Sequence, residues 1–104
     1  MDKILVVFSM NGCGHCEHLK SLLKENEISF IDRDIHKHND EYKIFTEKTG
    51  SEFVPAFMVI ENILGKTKTE AFVPDKNFKT IEEGFELIKQ LINWQIIYHL
   101  LKKG

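Results

Sequence analysis

Cysteine is scarce in this sequence, and the few cysteines present stand close together. The 104 residues contain only two, Cys13 and Cys16. A structural disulfide framework spreads its cysteines along the chain, and a bridge across two intervening residues closes almost no loop. Such a bridge adds little stability. In a reducing compartment a pair with this spacing is more often catalytic or metal-binding than structural.

Long apolar runs and a strong excess of one charge are also lacking. No run approaches the ~20 apolar residues of a membrane span. The formal net charge of −2 gives no electrostatic support to nucleic-acid binding. The N-terminal apolar stretch is about five residues long, shorter than a signal-peptide core, and no small-residue cleavage site follows it. We therefore expect a cytoplasmic protein with neither a membrane nor a nucleic acid as partner.

The composition that remains is ordinary for a globular protein. Hydrophobic residues make up 42% and charged residues 29% of the chain. A chain of this length suits one domain with a modest core, so residues 1–104 are predicted to form a single domain.

The run Cys-Gly-His-Cys at residues 13–16 lies between an apolar stretch, 4–8, and an amphipathic one. The apolar stretch predicts a buried strand and the amphipathic one a helix, so the motif lies at a helix N-terminus. Unpaired N–H groups and the helix dipole there favour a thiolate, whose pKa can fall from about 8.5 to roughly 3.5–7.5. Helical phase turns Cys16 towards the core with Leu19 and leaves Cys13 at the surface.

Hydrophobic periodicity predicts the element order β-α-β-α-β-β-α. Asn39 is the predicted N-cap of the second helix, Gly50 its C-terminal glycine, and Thr80 with Glu83 the capping box of the last. We expect an α/β fold: a mixed four-stranded sheet with helices on both faces, parallel in the first βαβ unit and ending in an antiparallel hairpin. The strands are predicted at 3–9, 28–33, 57–60 and 67–73, with a turn at 61–66, and the helices at 14–26, 40–49 and 80–101.

The final helix carries two apolar stripes, whereas a helix lying on a sheet needs only one. In one interpretation, both stripes flank one broad buried face. Alternatively, the last two turns form a dimer or partner surface, which would make the protein a monomer or a weak dimer through this helix. The stripes are Ile81, Phe85, Ile88, Ile92 and Ile96, and Leu87, Leu91, Trp94, Tyr98 and Leu101.

The motif at 13–16 and the run Phe-Val-Pro-Ala at 53–56 resemble the glutaredoxin branch of the thioredoxin superfamily, over about residues 3–73. The resemblance implies a thioredoxin-like fold, a cis peptide bond before Pro55, and a Val54 backbone open to a peptide or glutathione. Asn11 stands where the family usually has a basic residue. Asp75 alone matches its Gly-Gly-Asp turn. These two are the other candidate contacts for substrate or glutathione.

The resemblance also implies thiol–disulfide exchange. Cys13 would attack the disulfide of a protein or a glutathione mixed disulfide, and Cys16 would resolve the intermediate. Gly14 and His15 form the pair typical of protein disulfide isomerases and are the predicted tuning residues. With His15 favouring the thiolate, we expect a redox potential above roughly −270 mV, near −200 mV. No bound cofactor is expected, and glutathione or a reductase would supply electrons.

Three alternatives stay open from the sequence. Zinc could be held by the motif with nearby histidines, although their predicted positions suit one tetrahedral site poorly. An iron–sulfur cluster could be shared by two copies through Cys13 and glutathione, with the small Gly14 leaving room. A non-catalytic module could bind partners through the edge at Val54 and Pro55. The remaining histidines are predicted to be solvated surface residues: His18, His36, His38 and His99.

Overall fold

Four strands form one mixed sheet, and the apolar N-terminal strand lies inside it. A computed structural model of the chain describes residues 2–91. The predicted order of elements is confirmed over these residues. The elements are β1 (Asp2–Ser9), α1 (Gly14–Glu25), β2 (Ile31–Asp34), α2 (Asn39–Thr49), β3 (Ala56–Ile63), β4 (Lys66–Phe72) and α3, which begins at Ile81 and continues through 91, the last described residue.

The strands lie in the order β2-β1-β3-β4. β1 pairs parallel with β2 and antiparallel with β3, and β3 pairs antiparallel with β4. Because β1 has a partner on each side, its backbone is satisfied within the sheet and its apolar side chains can be buried on both faces. Val7 and Phe8 are accordingly fully buried. The predicted mixed four-stranded sheet is confirmed.

Helices cover both faces of the sheet, as predicted. On one face α1 and α3 pack against the sheet through Leu19, Leu23 and Ile88. On the other face α2 contributes Phe45, whose ring centroid lies 4.7 Å from that of Phe8. The predicted inward face of α1 is also confirmed, since its buried residues are Cys16, Leu19 and Leu23.

The predicted bounds of β2 and of the hairpin were wrong. β2 begins at Ile31 and not at Ile28. The Ile28 N–H donates to the Leu23 carbonyl of the last turn of α1 at 2.9 Å, so it is not available to pair with a strand. β3 and β4 run further into the hairpin than predicted. Their turn is only Leu64 and Gly65, with φ values of 52° and 80°, which is the pattern of a two-residue type I′ turn.

The start of α2 also differs from the prediction, whereas its end agrees. The helix includes Asn39, and its N-cap is His38, which makes no side-chain capping bond. Asp34 explains the earlier start, because its carboxylate accepts the N–H of His36 at 2.8 Å and its carbonyl accepts that of His38 at 2.9 Å. Gly50 ends the helix with φ 72°, as predicted.

Only a narrow side of α2 faces the core. Phe45 is buried and Tyr42 is partly buried, whereas Ile44 is 55% exposed. Residues three apart share a helix face, and Ile44 lies about 100° from its neighbour Phe45.

The capping box of α3 forms with a shift of one residue. The Glu83 N–H donates to Thr80 Oγ1 at 3.1 Å, and Glu83 Oε2 accepts the N–H of Lys79, instead of that of Thr80, at 3.0 Å. The helix buries Phe85 and Ile88. None of the helices in the described part of the chain has the length and apolar character needed to cross a bilayer.

Both stripes of α3 face the same core within the described residues. Ile81, Phe85 and Ile88 of the first stripe are buried in the core between the helices and the sheet. Leu87 and Leu91 of the second stripe are partly buried against the same core. The predicted dimer or partner surface rests on the last two turns, which lie outside the described residues. The residues concerned are Ile92, Trp94, Ile96, Tyr98 and Leu101, and the predicted surface residue His99 lies there too.

Candidate active site

A disulfide joins the two cysteines at the start of α1. Cys13 is the N-cap of the helix, and Cys16 lies in its first turn, with 5.2 Å between their Cα atoms. The Cys16 N–H donates to Cys13 Sγ at 3.1 Å. Cys13 is partly exposed, whereas Cys16 has no exposed surface. The two sulfurs are therefore adjacent, and only Cys13 can be reached from solvent.

The chain reaches this position through a tight turn after β1. Gly12 has φ 78°, a conformation that residues with a Cβ rarely adopt. The Cys13 N–H donates to the Met10 carbonyl at 3.3 Å, and the Glu17 N–H donates to the Cys13 carbonyl at 3.1 Å. These bonds place Cys13 where its sulfur meets the N-terminal amides of α1. A thiolate there is stabilised by those N–H groups and by the helix dipole.

A cleft of about 360 Å³ lies beside the motif, and it brings three sequence-predicted residues together. His15, Val54 and Pro55 all line it. The peptide bond between Val54 and Pro55 is cis, as the resemblance implies. Val54 precedes β3, and its backbone makes no hydrogen bond to another residue within 2–91. The edge at Val54 is therefore open in the cleft that His15 also lines.

The segment that leads to Val54 is held by side chains from α2 and from the segment itself. The Tyr42 hydroxyl donates to the Glu52 carbonyl at 2.7 Å. The Ser51 N–H donates to Thr49 Oγ1 at 3.3 Å, and the Phe53 N–H donates to Ser51 Oγ at 3.4 Å. Burial and the nearby Glu52 carboxylate raise the pKa of Tyr42, so the hydroxyl keeps its proton at neutral pH. This anchor was not predicted, because it joins residues ten apart.

The far wall of the cleft is the start of α3, which sequence reasoning did not connect with the site. Lys79, Thr80 and Glu82 line it, together with Phe78. Thr80 Oγ1 and Glu83 Oε2 already accept two of the N–H groups at this helix start. The capping pattern predicted where α3 begins, but only the packing of α3 beside α1 brought that start to the cysteines.

The two histidines of α1 have different surroundings. His15, which lies between the two cysteines in the sequence, is exposed and lines the cleft. His18 Nε2 lies 3.7 Å from Glu82 Oε1 across the cleft, and both side chains are well exposed. His18 is a surface residue, as predicted, and it faces a carboxylate on α3.

A polar network lies behind the motif, at the end of β1. Ser9 is 2% exposed, and its hydroxyl donates to Asp32 Oδ1 at 2.6 Å. Lys20 Nζ donates to Asp32 Oδ2 at 3.0 Å and lies 3.1 Å from Glu17. The network ties β1, β2 and α1 together below the turn that carries Cys13. A serine ending an apolar strand was the only sign of it in the sequence.

Asp32 and Lys20 of this network have shifted pKa values. Burial alone would raise the pKa of Asp32, but hydrogen bonds from Ser9 and Lys20 outweigh it and hold that pKa below its usual range. Burial likewise opposes the charge of Lys20, yet its bonds to Asp32 and Glu17 raise the pKa of Lys20. The ion pair is therefore maintained across the neutral range.

Asn11 and Asp75, the other two predicted binding residues, do not line the cleft. Asn11 lies in a separate concavity of about 350 Å³ with Lys20, Asp32 and Lys37. Asp75 lies in an exposed turn with φ 73°, where its N–H donates to the Phe78 carbonyl at 2.8 Å. The cleft takes Pro74 from that turn instead. Binding by Asn11 and Asp75 stays a prediction from the resemblance.

Candidate metal ligands do not converge over residues 2–91, where no group of three or more His, Cys, Asp or Glu side chains could hold an ion. Both sulfurs are engaged in the disulfide. A Cβ added at Gly14 would meet no atom within 4 Å, so there is open space beside Cys13. An iron–sulfur cluster would need the Cys13 thiolate, which the oxidised pair does not offer. The cluster and the binding-module alternatives stay predictions.

Comparisons with solved structures point to the thioredoxin-like fold. The chain is similar to a thioredoxin of Trichomonas vaginalis at 26% identity and a TM-score of 0.50, over 68% of this chain. It covers 66% of that thioredoxin, slightly less than two thirds. A thioredoxin of Plasmodium falciparum is similar in fold at 19% identity and a TM-score of 0.52, with 81% of this chain and 69% of the other covered. No curated protein matches the chain significantly.

The comparison with protein families is more specific. The Glutaredoxin family model matches residues 5–62, more than half of the chain. This range includes the disulfide and the cis peptide bond before Pro55. The chain belongs to the glutaredoxin family of the thioredoxin superfamily.

Proposed function

We propose that this protein is a dithiol thiol–disulfide oxidoreductase in which Cys13 is the nucleophile and Cys16 the resolving cysteine. The observation that supports this most is the bridge at the start of α1, with one sulfur partly exposed and the other fully buried. A helix N-terminus favours the thiolate of the exposed residue. The cleft beside it leaves room for a second chain.

The reaction proceeds in two exchanges. The Cys13 thiolate attacks one sulfur of a substrate disulfide, forming a mixed disulfide and releasing the other sulfur as a thiolate, which takes up a proton. Cys16 then loses its proton and attacks Cys13 Sγ, which forms the bridge and releases the second substrate thiol. Two electrons and two protons pass to the substrate. A small thiol such as glutathione, or a reductase, returns them to the bridge.

The other residues of the cleft assist binding and tuning. The open backbone at Val54 can pair with an extended segment beside the substrate disulfide, in the manner of an added strand. His15 lies between the two cysteines in sequence and, as a donor or cation, stabilises the thiolate and hence the reduced form. The proposal includes a reducing compartment such as the cytoplasm, where a donor keeps the pair available.

Two single substitutions test the roles of the cysteines. Reduced wild type, Cys13→Ser and Cys16→Ser are each mixed with a disulfide peptide, quenched with acid and analysed by mass spectrometry. We expect Cys13→Ser to be inert and Cys16→Ser to accumulate the mixed disulfide on Cys13. A mixed disulfide on Cys16 in the Cys13→Ser protein, formed at the wild-type rate, would overturn the assignment.

The redox potential tests the role of His15. Equilibration of the pair against glutathione buffers should give a value above roughly −270 mV. His15→Ala should lower it by about 15–30 mV, because the reduced form loses stabilisation of ~0.7–1.4 kcal/mol. A wild-type potential below −270 mV, the value typical of thioredoxin, would count against this role.

A further inference from the structure

Phe53 is a large aromatic residue placed in solvent directly before the open edge of the site. Its exposed fraction is 63%, whereas Phe8 and Phe57 are fully buried in the core. The next residue is Val54, whose backbone makes no hydrogen bond within the described chain, and Pro55 follows in the cleft. A segment paired with the Val54 backbone would therefore also run past Phe53, the residue before it in the chain.

The backbone that presents this ring is held in place. The Phe53 N–H donates to Ser51 Oγ, and Ser51 is itself 8% exposed. The preceding carbonyl, of Glu52, accepts the Tyr42 hydroxyl at 2.7 Å. On the other side, Pro55 is buried. Since these contacts already order the segment, a ligand that packs on Phe53 pays little conformational entropy for the backbone.

The opposite end of the cleft is poorly suited to a small disulfide that carries several carboxylates. Lys79 supplies one cationic group, but Glu82 supplies an anionic one beside it. Two N–H groups at the start of α3, those of Lys79 and Glu83, already donate within the protein. The remaining lining is largely apolar, with Pro74, Phe78 and Ile81. The Lys79 charge is thus offset by the Glu82 carboxylate, which leaves a substrate with several carboxylates little net attraction at this end of the cleft.

We propose that Phe53 is a specificity-determining residue. It favours disulfides in polypeptide segments with an apolar side chain next to the half-cystine over small polar disulfides such as oxidised glutathione. This inference rests on the proposed function and names its substrate class. Removing the ring takes away contact area with the apolar neighbour and leaves Cys13 and the chemistry of exchange unchanged.

The test compares three disulfides with four reduced proteins. Two disulfide-linked peptide dimers differ only by Leu or Ser next to the cysteine, and the third substrate is oxidised glutathione. The proteins are wild type, Phe53→Ser, Cys13→Ser and a matched control, Leu64→Ser. Leu64 is 98% exposed on the β3–β4 turn, so its substitution also removes an exposed apolar side chain from the surface. Second-order rate constants are measured by acid quench and mass spectrometry.

We expect Phe53→Ser to lower the rate constant with the Leu peptide by about five- to tenfold, as partial burial of one phenyl ring implies. With the Ser peptide and oxidised glutathione the change should stay below about twofold. Leu64→Ser should match wild type throughout, and equal melting temperatures should exclude misfolding.

Two results would overturn the inference alone: an equal loss with all three disulfides, or no loss with any, while wild type remains much faster than Cys13→Ser. Oxidised glutathione reacting with wild type as fast as the Leu peptide would also overturn it. If wild type reacts no faster than Cys13→Ser, the proposed function fails and this inference fails with it.

Discussion

Substituting Asp32 tests whether the network behind the motif supports the strand that delivers Cys13. Asp32→Ala removes the acceptor of both the Ser9 hydroxyl, at 2.6 Å, and the Lys20 ammonium, at 3.0 Å. The Ser9 hydroxyl is then left buried without its partner, since the serine is only 2% exposed. We expect the free energy of unfolding to fall.

The magnitude follows from the exposure of each partner. A hydrogen bond to a charged group contributes about 1.5–3 kcal/mol when buried, and the 44% exposure of the Asp32 side chain places this one at the lower end, near 1.5. The ion pair with Lys20 adds about 0.5 kcal/mol, because water screens it. The total of about 2 kcal/mol corresponds to a fall of roughly 10 °C in the melting temperature of a domain of this size.

A double-mutant cycle separates the two partners. Urea unfolding of wild type, Ser9→Ala, Asp32→Ala and the double variant should give a coupling energy of about 1–1.5 kcal/mol for the Ser9–Asp32 pair. The parallel cycle with Lys20→Met should give about 0.5 kcal/mol. A Ser9–Asp32 coupling energy below ~0.3 kcal/mol would refute the argument, because that is the error within which independent sites add.

The pH dependence gives a second check on Asp32. Its pKa is lower in the folded protein than in the unfolded chain, where it is about 3.9. The stabilisation is therefore fully present above that unfolded value and is lost as the pH falls through the lowered folded value. The difference in unfolding free energy between wild type and Asp32→Ala should be constant at neutral pH and shrink below about pH 4. A difference that grows on acidification would contradict the assignment.

Three further substitutions probe the anchor, a helix cap and the hairpin. Tyr42→Phe releases the Glu52 carbonyl, so it should lower the free energy of unfolding in urea by about 1 kcal/mol. It should also raise KM for a disulfide peptide two- to threefold with kcat retained, and an unchanged KM would contradict this role. Thr80→Ala should lower the free energy of unfolding in urea by about 1 kcal/mol, because Thr80 Oγ1 accepts the Glu83 N–H. An unchanged free energy of unfolding would mean that the cap is not stabilising. Leu64→Asn should raise the unfolding free energy by about 0.5 kcal/mol, because asparagine tolerates the positive φ of this turn, and a loss would argue against the type I′ geometry.

The elements with strong periodic signals were predictable, and the errors fall at the ends of elements, where individual hydrogen bonds decide. The apolar strand before the motif and the inward face of α1 follow from hydrophobic periodicity, which depends only on neighbours in the chain. The start of β2 was wrong because the Ile28 N–H pairs with the end of α1. Asn39 resembled an N-cap by residue type, but hydrogen bonds to Asp34 begin the helix one residue earlier.

The sequence by itself determined the chemistry of the site. Two cysteines three positions apart at a strand-to-helix junction meet through the geometry of a single helical turn, and no distant contact is required. Only the tertiary structure decided what surrounds them. The sheet and its flanking helices bring Val54, Pro55 and the start of α3 to the cleft beside that turn. These residues lie about 40 to 70 positions away, and such contacts depend on the packing of the whole domain.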